Sequence, residues 1–442
     1  MAEARYYDIR CVQGEITLID IDNGVIESAG TSYFDRAVVR VLGPKGWGIL
    51  TRDHVEIDSK REIDALVEAA ARLSAVTGDQ IDLADASRAL LPVPPLGEDP
   101  RDVDLEEKTR LLAGIESAAR VPKVANTRAR YTEGIDSVRF LDSSGNEFSY
   151  EAVRSGFSVI AIASRNGMMQ MGSERDHITT GFNLRDKQDL GRKAGEVAVS
   201  LLDAKLAKGG TKRAVLDQEL AGVFTHEAVG HASEGDLVRE GASVLAGRIG
   251  ERIGCEGLVI VDDPSLHEFG FIPVDAEGVA VRRTEVIRDG ILTSYLHNRE
   301  TLAAVGNGVP GHARAEHGAP PIVRMSNTFI ENGDATYDEI IAECKDGILL
   351  IGSRGGQVDP GRGIFQFNAE YGYLIRGGET TDMVRDVSLS GEILSTLHDI
   401  TLLGNDLKMS PGYCGKGGQT VPVSDGAPHI LLENATVGGR GA

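Results

Sequence analysis

Two histidines and a glutamate fall within one short run, Thr225-His226-Glu227-Ala228-Val229-Gly230-His231-Ala232-Ser233-Glu234-Gly235-Asp236. Imidazole is the commonest protein ligand for zinc, and three protein ligands with one open position make a hydrolytic zinc site. Glu227, beside the first histidine, stands where a general base is needed to deprotonate a water that a metal has activated. The usual zinc-protease helix spaces its histidines four apart, which puts both on one face. Here they are five apart, which on a regular helix leaves them about 140° apart around the axis, too far to share an ion. The segment is therefore expected to distort through a π-turn or a break, with Gly230 as the place where that costs least. The competing reading is a short helix with two satisfied core histidines. Leu220, Val223, Phe224 and Val229 make the helix apolar enough to be buried. Burying two imidazoles and a carboxylate there is costly unless something compensates them, and a metal ion would.

A hydrolytic site needs a third ligand. Glu234 and Asp236 are the nearest candidates; the other is Cys414, in the glycine-rich run Pro411-Gly412-Tyr413-Cys414-Gly415-Lys416-Gly417-Gly418. Thiolate is a soft ligand that zinc binds well, but a lone cysteine in a turn is as often only a small residue, and the residues leave the choice open. His312, His317 and His429 read as surface or loop histidines. Gly355 to Gly361 lacks the strand–loop–helix setting and the Lys-Ser/Thr of a phosphate loop, and no Gly-x-Ser-x-Gly elbow is present.

The elements around this run read as follows. Val215-Leu216 ends a strand that delivers Asp217 as the N-cap of the histidine helix. Upstream, residues 6 to 51 form short β runs with turns at Asp22-Asn23-Gly24 and Gly43-Pro44. Asp58 caps an amphipathic helix over 59–73, and 90–100 crosses in extended form with four prolines. A helix follows over 105–119. Strands over 137–141, 148–155, 158–164 and 168–173 then precede a long helix over 185–207, ended by Gly209-Gly210. Strands then helix thus occur twice, as in a duplication. The last third carries a strand over 258–261, a hairpin over 284–295 turning at Asp289-Gly290, and an irregular loop or lid over 306–321. Further strands follow over 364–368, 372–376 and 430–432. The expected class is α+β with many antiparallel strands, not a doubly wound sheet. The expected division is an α+β domain over 1–121, a central α+β domain over 122–210, and a β-rich domain over 211–442 carrying the metal-binding helix.

Composition narrows the function classes. A chain of 442 residues with net charge −21 is a poor partner for a phosphate backbone. No apolar run reaches the length of a membrane span. The first residues show no basic and apolar signal pattern, and Cys11, Cys255, Cys344 and Cys414 form no C-x-x-C pair. Both features point to a reducing cytoplasm.

The run HEAVGHASEGD resembles the signature of the TldD subunit in the TldD/TldE (PmbA) family, once named modulators of DNA gyrase. The resemblance continues through Ile272–Gly278 (IPVDAEG), Arg324–Thr328 (RMSNT), Gly355–Asp359 (GGQVD) and Cys414–Gln419 (CGKGGQ). It implies a zinc metallopeptidase that cuts unfolded or extended peptides, paired with a metal-free TldE-type subunit, although a homodimer could serve instead. It carries metal-ligand roles onto His226, His231 and Cys414, and the catalytic base onto Glu227. Three physical arguments side with the thiol. Glu234 is expected to follow the chain out at Gly235, away from the ion. The glycines around Cys414 suit a loop pressed on a buried helix, and a thiolate adds charge that a third imidazole would not. The competing classes are a metal-stapled, non-catalytic scaffold and a gyrase-binding regulator.

Overall fold

In the first half of the chain, alternation of side chains builds one antiparallel sheet with a helix-covered face. The computed structural model describes residues 4–441 apart from 77 and 79. The strands are β1 (Tyr6–Asp22), β2 (Val25–Gly43), β3 (Gly46–Asp53), β4 (Val124–Asp142), β5 (Glu147–Arg165) and β6 (Met168–Ile178). They stand side by side in the order β3-β2-β1-β4-β5-β6. The strands are far longer than the short runs expected. β1 and β2 stay paired from Tyr6–Leu42 to Asp22–Val25, with one register shift at Asp20/Ile21. A continuous ladder keeps weakly β-forming residues extended. The turns lie where the sequence marks them: Asn23 and Gly24 both take positive φ, as the hairpin requires. The two runs expected over 148–155 and 158–164 join in β5, which pairs without a break with β6 from Ser155 to Arg165, and the His177 ring packs over Gly156, where a Cβ would meet it.

The helices α1 (Lys60–Ser74), α2 (Leu105–Ala118) and α3 (Gln188–Leu201) cover one face of this sheet. Ser59, not Asp58, caps α1 by accepting from the Glu62 N–H. α3 is shorter than the 185–207 expected. Asp186 holds a left-handed φ of 56°, and Lys205–Leu206 leaves to pair with Val384–Arg385. Ile9 and Cys11 pack beneath α1, and Ile19 and Ile21 beneath α2. Arg10 and Ile16, of opposite parity, face the C-terminal region. The pairing of β1 with β4 runs from Asp8–Asp142 to Asp22–Arg128. Residues on the two sides of position 121 therefore share one sheet, with strands followed by a helix on each side. The stretch between α1 and α2 crosses to the C-terminal region, where Leu91 N–H reaches the Pro273 carbonyl at 2.9 Å.

The C-terminal region contains β7 (Gly210–Leu216), α4 (Gln218–Phe224), β8 (Ile260–Asp262), β9 (Asn327–Ile330), β10 (Gly347–Ile351), β11 (Lys408–Lys416), β12 (Gln419–Ala427) and β13 (Ile430–Gly439). β7 lies between β10 and β13 in a large mixed sheet. A second sheet runs β8-β9-β12-β11, with the hairpin of Thr284–Arg288 and Ile291–Leu292 on its far edge. Residues 306–321 are more regular than expected: Gly308–Pro310 pairs with Tyr295–His297, and Ala313–Arg314 pairs with Ile322–Val323. With 20% helix and 46% strand the fold is α+β. Among the described residues no helix is long and apolar enough to cross a membrane.

Candidate metal centre

β7 is buried at its C-terminal end, and Asp217 follows it. One Asp217 carboxylate oxygen accepts from Leu220 N–H at 2.9 Å and the other from Gly352 N–H at 3.0 Å, which starts α4. Leu220, Ala221, Phe224, Ala228 and Val229 are fully buried, so the helix lies inside the main core. After Phe224 the backbone widens into a π-turn over Thr225–Gly230, and His231 N–H donates to the His226 carbonyl five residues back. The two candidate ligands are thus joined by the bond that defines the distortion. Their rings come within 5.2 Å, nearly perpendicular. Gly230 keeps ordinary helical angles, so its role is not conformational freedom as expected. A Cβ there would overlap Met325 Sδ, so the glycine leaves room for that side chain as it lies.

Cys414 reaches this pair from the edge strand β11. Its Sγ lies 3.4 Å from His231 Nε2, and ligand atoms of His226, His231 and Cys414 all lie within 4.8 Å of one another. Burial would raise the thiol, but hydrogen bonds and charge from His226 and His231 outweigh it and bring it down to about 4. Arg324, fully buried, fixes the strand by donating to the carbonyls of Cys414 and Gln419. The expected role of the neighbouring glycines is overturned. Gly412 and Gly415 face open space, and Gly417 and Gly418 form the positive-φ turn to β12. The close approach to the helix is made instead by Gly222 against Gly426.

The donor set fits zinc: two imidazole nitrogens and one sulfur converge, with three ligands leaving a position open. Nδ1 of His226 is buried without a partner among the described residues, which is costly for an imidazole with nothing to bind.

The carboxylates divide by position. Glu234 does not turn away with the exiting chain as expected. It is fully buried, 2.9 Å from His231 Nδ1 and 3.0 Å from Lys416 Nζ. Burial raises its carboxyl, but His231 and Lys416 prevail and hold it below the usual value. Asp236 accepts two hydrogen bonds from Lys416, at 2.7 and 2.8 Å. Neither carboxylate is in the converging cluster, since both face Lys416. Glu227 is the most open of the group, 32% exposed, with Oε2 3.8 Å from His231 Nε2. Lys416 and Arg324 were missed as functional residues. Their signal was present, since both lie in the motifs CGKGGQ and RMSNT. His312 is buried, 3.6 Å from Asp262, and is not a surface residue. His317 meets Asp136 and His429 meets Asp406, so none of the three joins the cluster.

Three family models match in order along the chain. They are the PmbA/TldA metallopeptidase domain 1 over residues 7–74, the central domain over 98–202 and the C-terminal domain over 209–439. An Archaeoglobus fulgidus protein named metalloprotease is 40% identical, with 98% of this chain and 100% of that one covered. A Saccharolobus solfataricus protein named zinc metalloprotease TldD homolog is 28% identical over 99% of this chain and 96% of its own length. Among solved structures, a Thermotoga maritima protein described as a modulator of DNA gyrase superposes with a TM-score of 0.82. Its identity is 21%, covering 98% of this chain and 96% of that one. TldE from Thermococcus kodakarensis gives 0.79 at 19% identity, covering 98% and 97%. At these identities the solved structures share the fold.

Proposed function

We propose, from the premise that this chain belongs to the PmbA/TldA metallopeptidase family, that it is a zinc peptidase of TldD type acting on unfolded or extended peptides. The convergence of His226, His231 and Cys414 within 4.8 Å carries the proposal. These three residues would hold the ion. Bound there, zinc would supply a Lewis acid that acidifies water and polarises a peptide carbonyl. Glu227, partly open and next to the first ligand, takes the proton from the attacking water and passes it to the leaving amine. Glu234 keeps His231 oriented through Nδ1, and Lys416 holds Glu234 and Asp236 in place. Arg324 keeps Cys414 at its post through the backbone.

Extended substrates suit a site on an edge strand among sheets, where main-chain pairing gives affinity with loose side-chain preference. A TldE-type subunit is the proposed partner, supported by the TldD-named relatives and the shared fold with TldE. All four cysteines are free, in keeping with a cytoplasmic setting. Metal analysis, followed by digestion of an unstructured peptide with and without the partner subunit, tests the proposal. Stoichiometric zinc with no cleavage in either condition would turn it into a metal-stapled scaffold.

A further inference from the structure

A cavity of about 300 Å³ lies between the helix-free face of the six-stranded sheet and the β11–β12 hairpin. Three guanidinium groups reach it, from Arg10, Arg154 and Arg314. Arg154 directs N–H groups to the carbonyls of Phe269 and Phe271, and Arg314 to those of Met325 and Pro422. None of the three makes an ion pair among the described residues, and Arg10 has Tyr150, another residue of the lining, beside it. Of the two acids in the lining, Asp136 holds His317 through Oδ2, leaving Oδ1 without a partner, and Glu316 accepts from Thr420 N–H. Burial and the repulsion of Arg154 and Arg324 bring Arg314 down to about 9 against the opposing pull of Asp262 and Cys414, in keeping with a positive surplus around the cavity. This surplus is local, in a chain of net charge −21. The remaining wall is largely apolar, with Val138, Ile272 and Tyr413 in it.

The cavity and the metal centre share a strand. Tyr413 and Cys414 are consecutive on β11, so their side chains leave on opposite faces, Cys414 toward the histidines and Tyr413 toward the cavity. We propose that this cavity is an anchoring subsite for a carboxylate-bearing peptide residue, held by the three arginines that line it, Arg10, Arg154 and Arg314. The carboxylate comes from an acidic side chain or from a chain terminus, and the apolar wall takes the rest of the residue. That the ligand is a peptide rests on the peptidase proposal above. A charge-assisted hydrogen bond of this kind is worth roughly tenfold to a hundredfold in affinity.

The test is binding, read by fluorescence anisotropy on the full-length, metal-loaded protein. The probes are a short unstructured peptide with one internal Glu and a free C-terminus, its C-terminal amide, and its Glu-to-Gln version. One of the two modified probes should bind about tenfold more weakly, and which one does so identifies the source of the carboxylate. Arg10→Gln should bring all three probes to within about twofold of one another, and Arg10→Lys should restore part of the preference. Gly134 lines the cavity, and a Cβ there meets open space, so Gly134→Val should fold and abolish the preference by filling the cavity. Equal binding of the three probes to the wild type, or a preference that survives both Arg10→Gln and Gly134→Val, would overturn the proposal. Cleavage is measured separately. A carboxylate preference without cleavage, whether the partner subunit is present or absent, would remove the peptidase proposal, and cleavage without the preference would remove only this one.

Discussion

Glu234 lies 2.9 Å from Nδ1 of His231, while Nε2 of the same ring lies 3.4 Å from Sγ of Cys414. The carboxylate therefore grips the imidazole by one nitrogen and leaves the other facing the cluster. Partners of this kind orient a ligating histidine and typically matter 10- to 100-fold in metal affinity. Glu234→Ala should retain zinc at stoichiometric concentrations yet bind it about 10- to 100-fold more weakly in a chelator competition. Unchanged affinity would show that Lys416, and not His231, is the reason Glu234 is buried there.

Glu227 is expected to act on protons and not to hold the ion, being 32% exposed and 3.8 Å from His231 Nε2. Glu227→Gln should keep its zinc and lose about 10²- to 10⁴-fold in peptide hydrolysis. Parallel loss of metal and activity would assign Glu227 to the coordination shell instead.

Cys414 is expected to be the third ligand, so Cys414→Ala should lose zinc and activity together. In metal-free protein the thiol sits at about 4, whereas burial pushes Cys11 and Cys344 up to about 11. Because the folded value is depressed, the thiolate persists as pH falls from neutral and is lost only on passing about 4. Alkylation after chelation should therefore mark Cys414 first, with little change in rate from neutral to mildly acidic pH. Adding zinc back should protect it. Mass spectrometry that finds Cys11 or Cys344 modified ahead of Cys414 would contradict this assignment.

A stability prediction rests on Glu370, whose Oε1 accepts from Ser173 Oγ at 2.7 Å across the junction between β6 and the C-terminal region. Burial raises this carboxyl from its ordinary 4.5 to about 7, with Ser173 pulling the other way. A folded value above the unfolded one adds stability that is full below the unfolded value and is lost as pH rises through about 7. Glu370→Gln should keep the hydrogen bond and stabilise the protein above neutral pH by on the order of 1–3 kcal/mol, with no gain in acid. Thermal unfolding of both proteins across this range decides it, and equal midpoints at high pH would refute it.

Local chemistry was legible in the sequence wherever a few consecutive residues decide it. Asp217 capping α4, the Asn23-Gly24 turn and the need for distortion between His226 and His231 all depend on backbone hydrogen bonds within one or two turns. The strands over 124–165 are longer than local sequence predicts, because their length comes from pairing with β1 and β6, and a ladder stabilises residues of weak intrinsic preference.

What the sequence by itself determined about this protein is its α+β class, its paired histidines and the glutamate between them. The family signature in the same residues pointed to Cys414. Only the tertiary structure decided that Glu234 faces His231, that Lys416 and Arg324 brace the site, and that Gly230 leaves room for Met325. Cys414 reaches the histidines because β12 pairs in parallel with β9 and in antiparallel with β11, setting the thiol beside the π-turn. Sheet register between distant segments places these groups, and the spacing of neighbours along one segment carries no record of it.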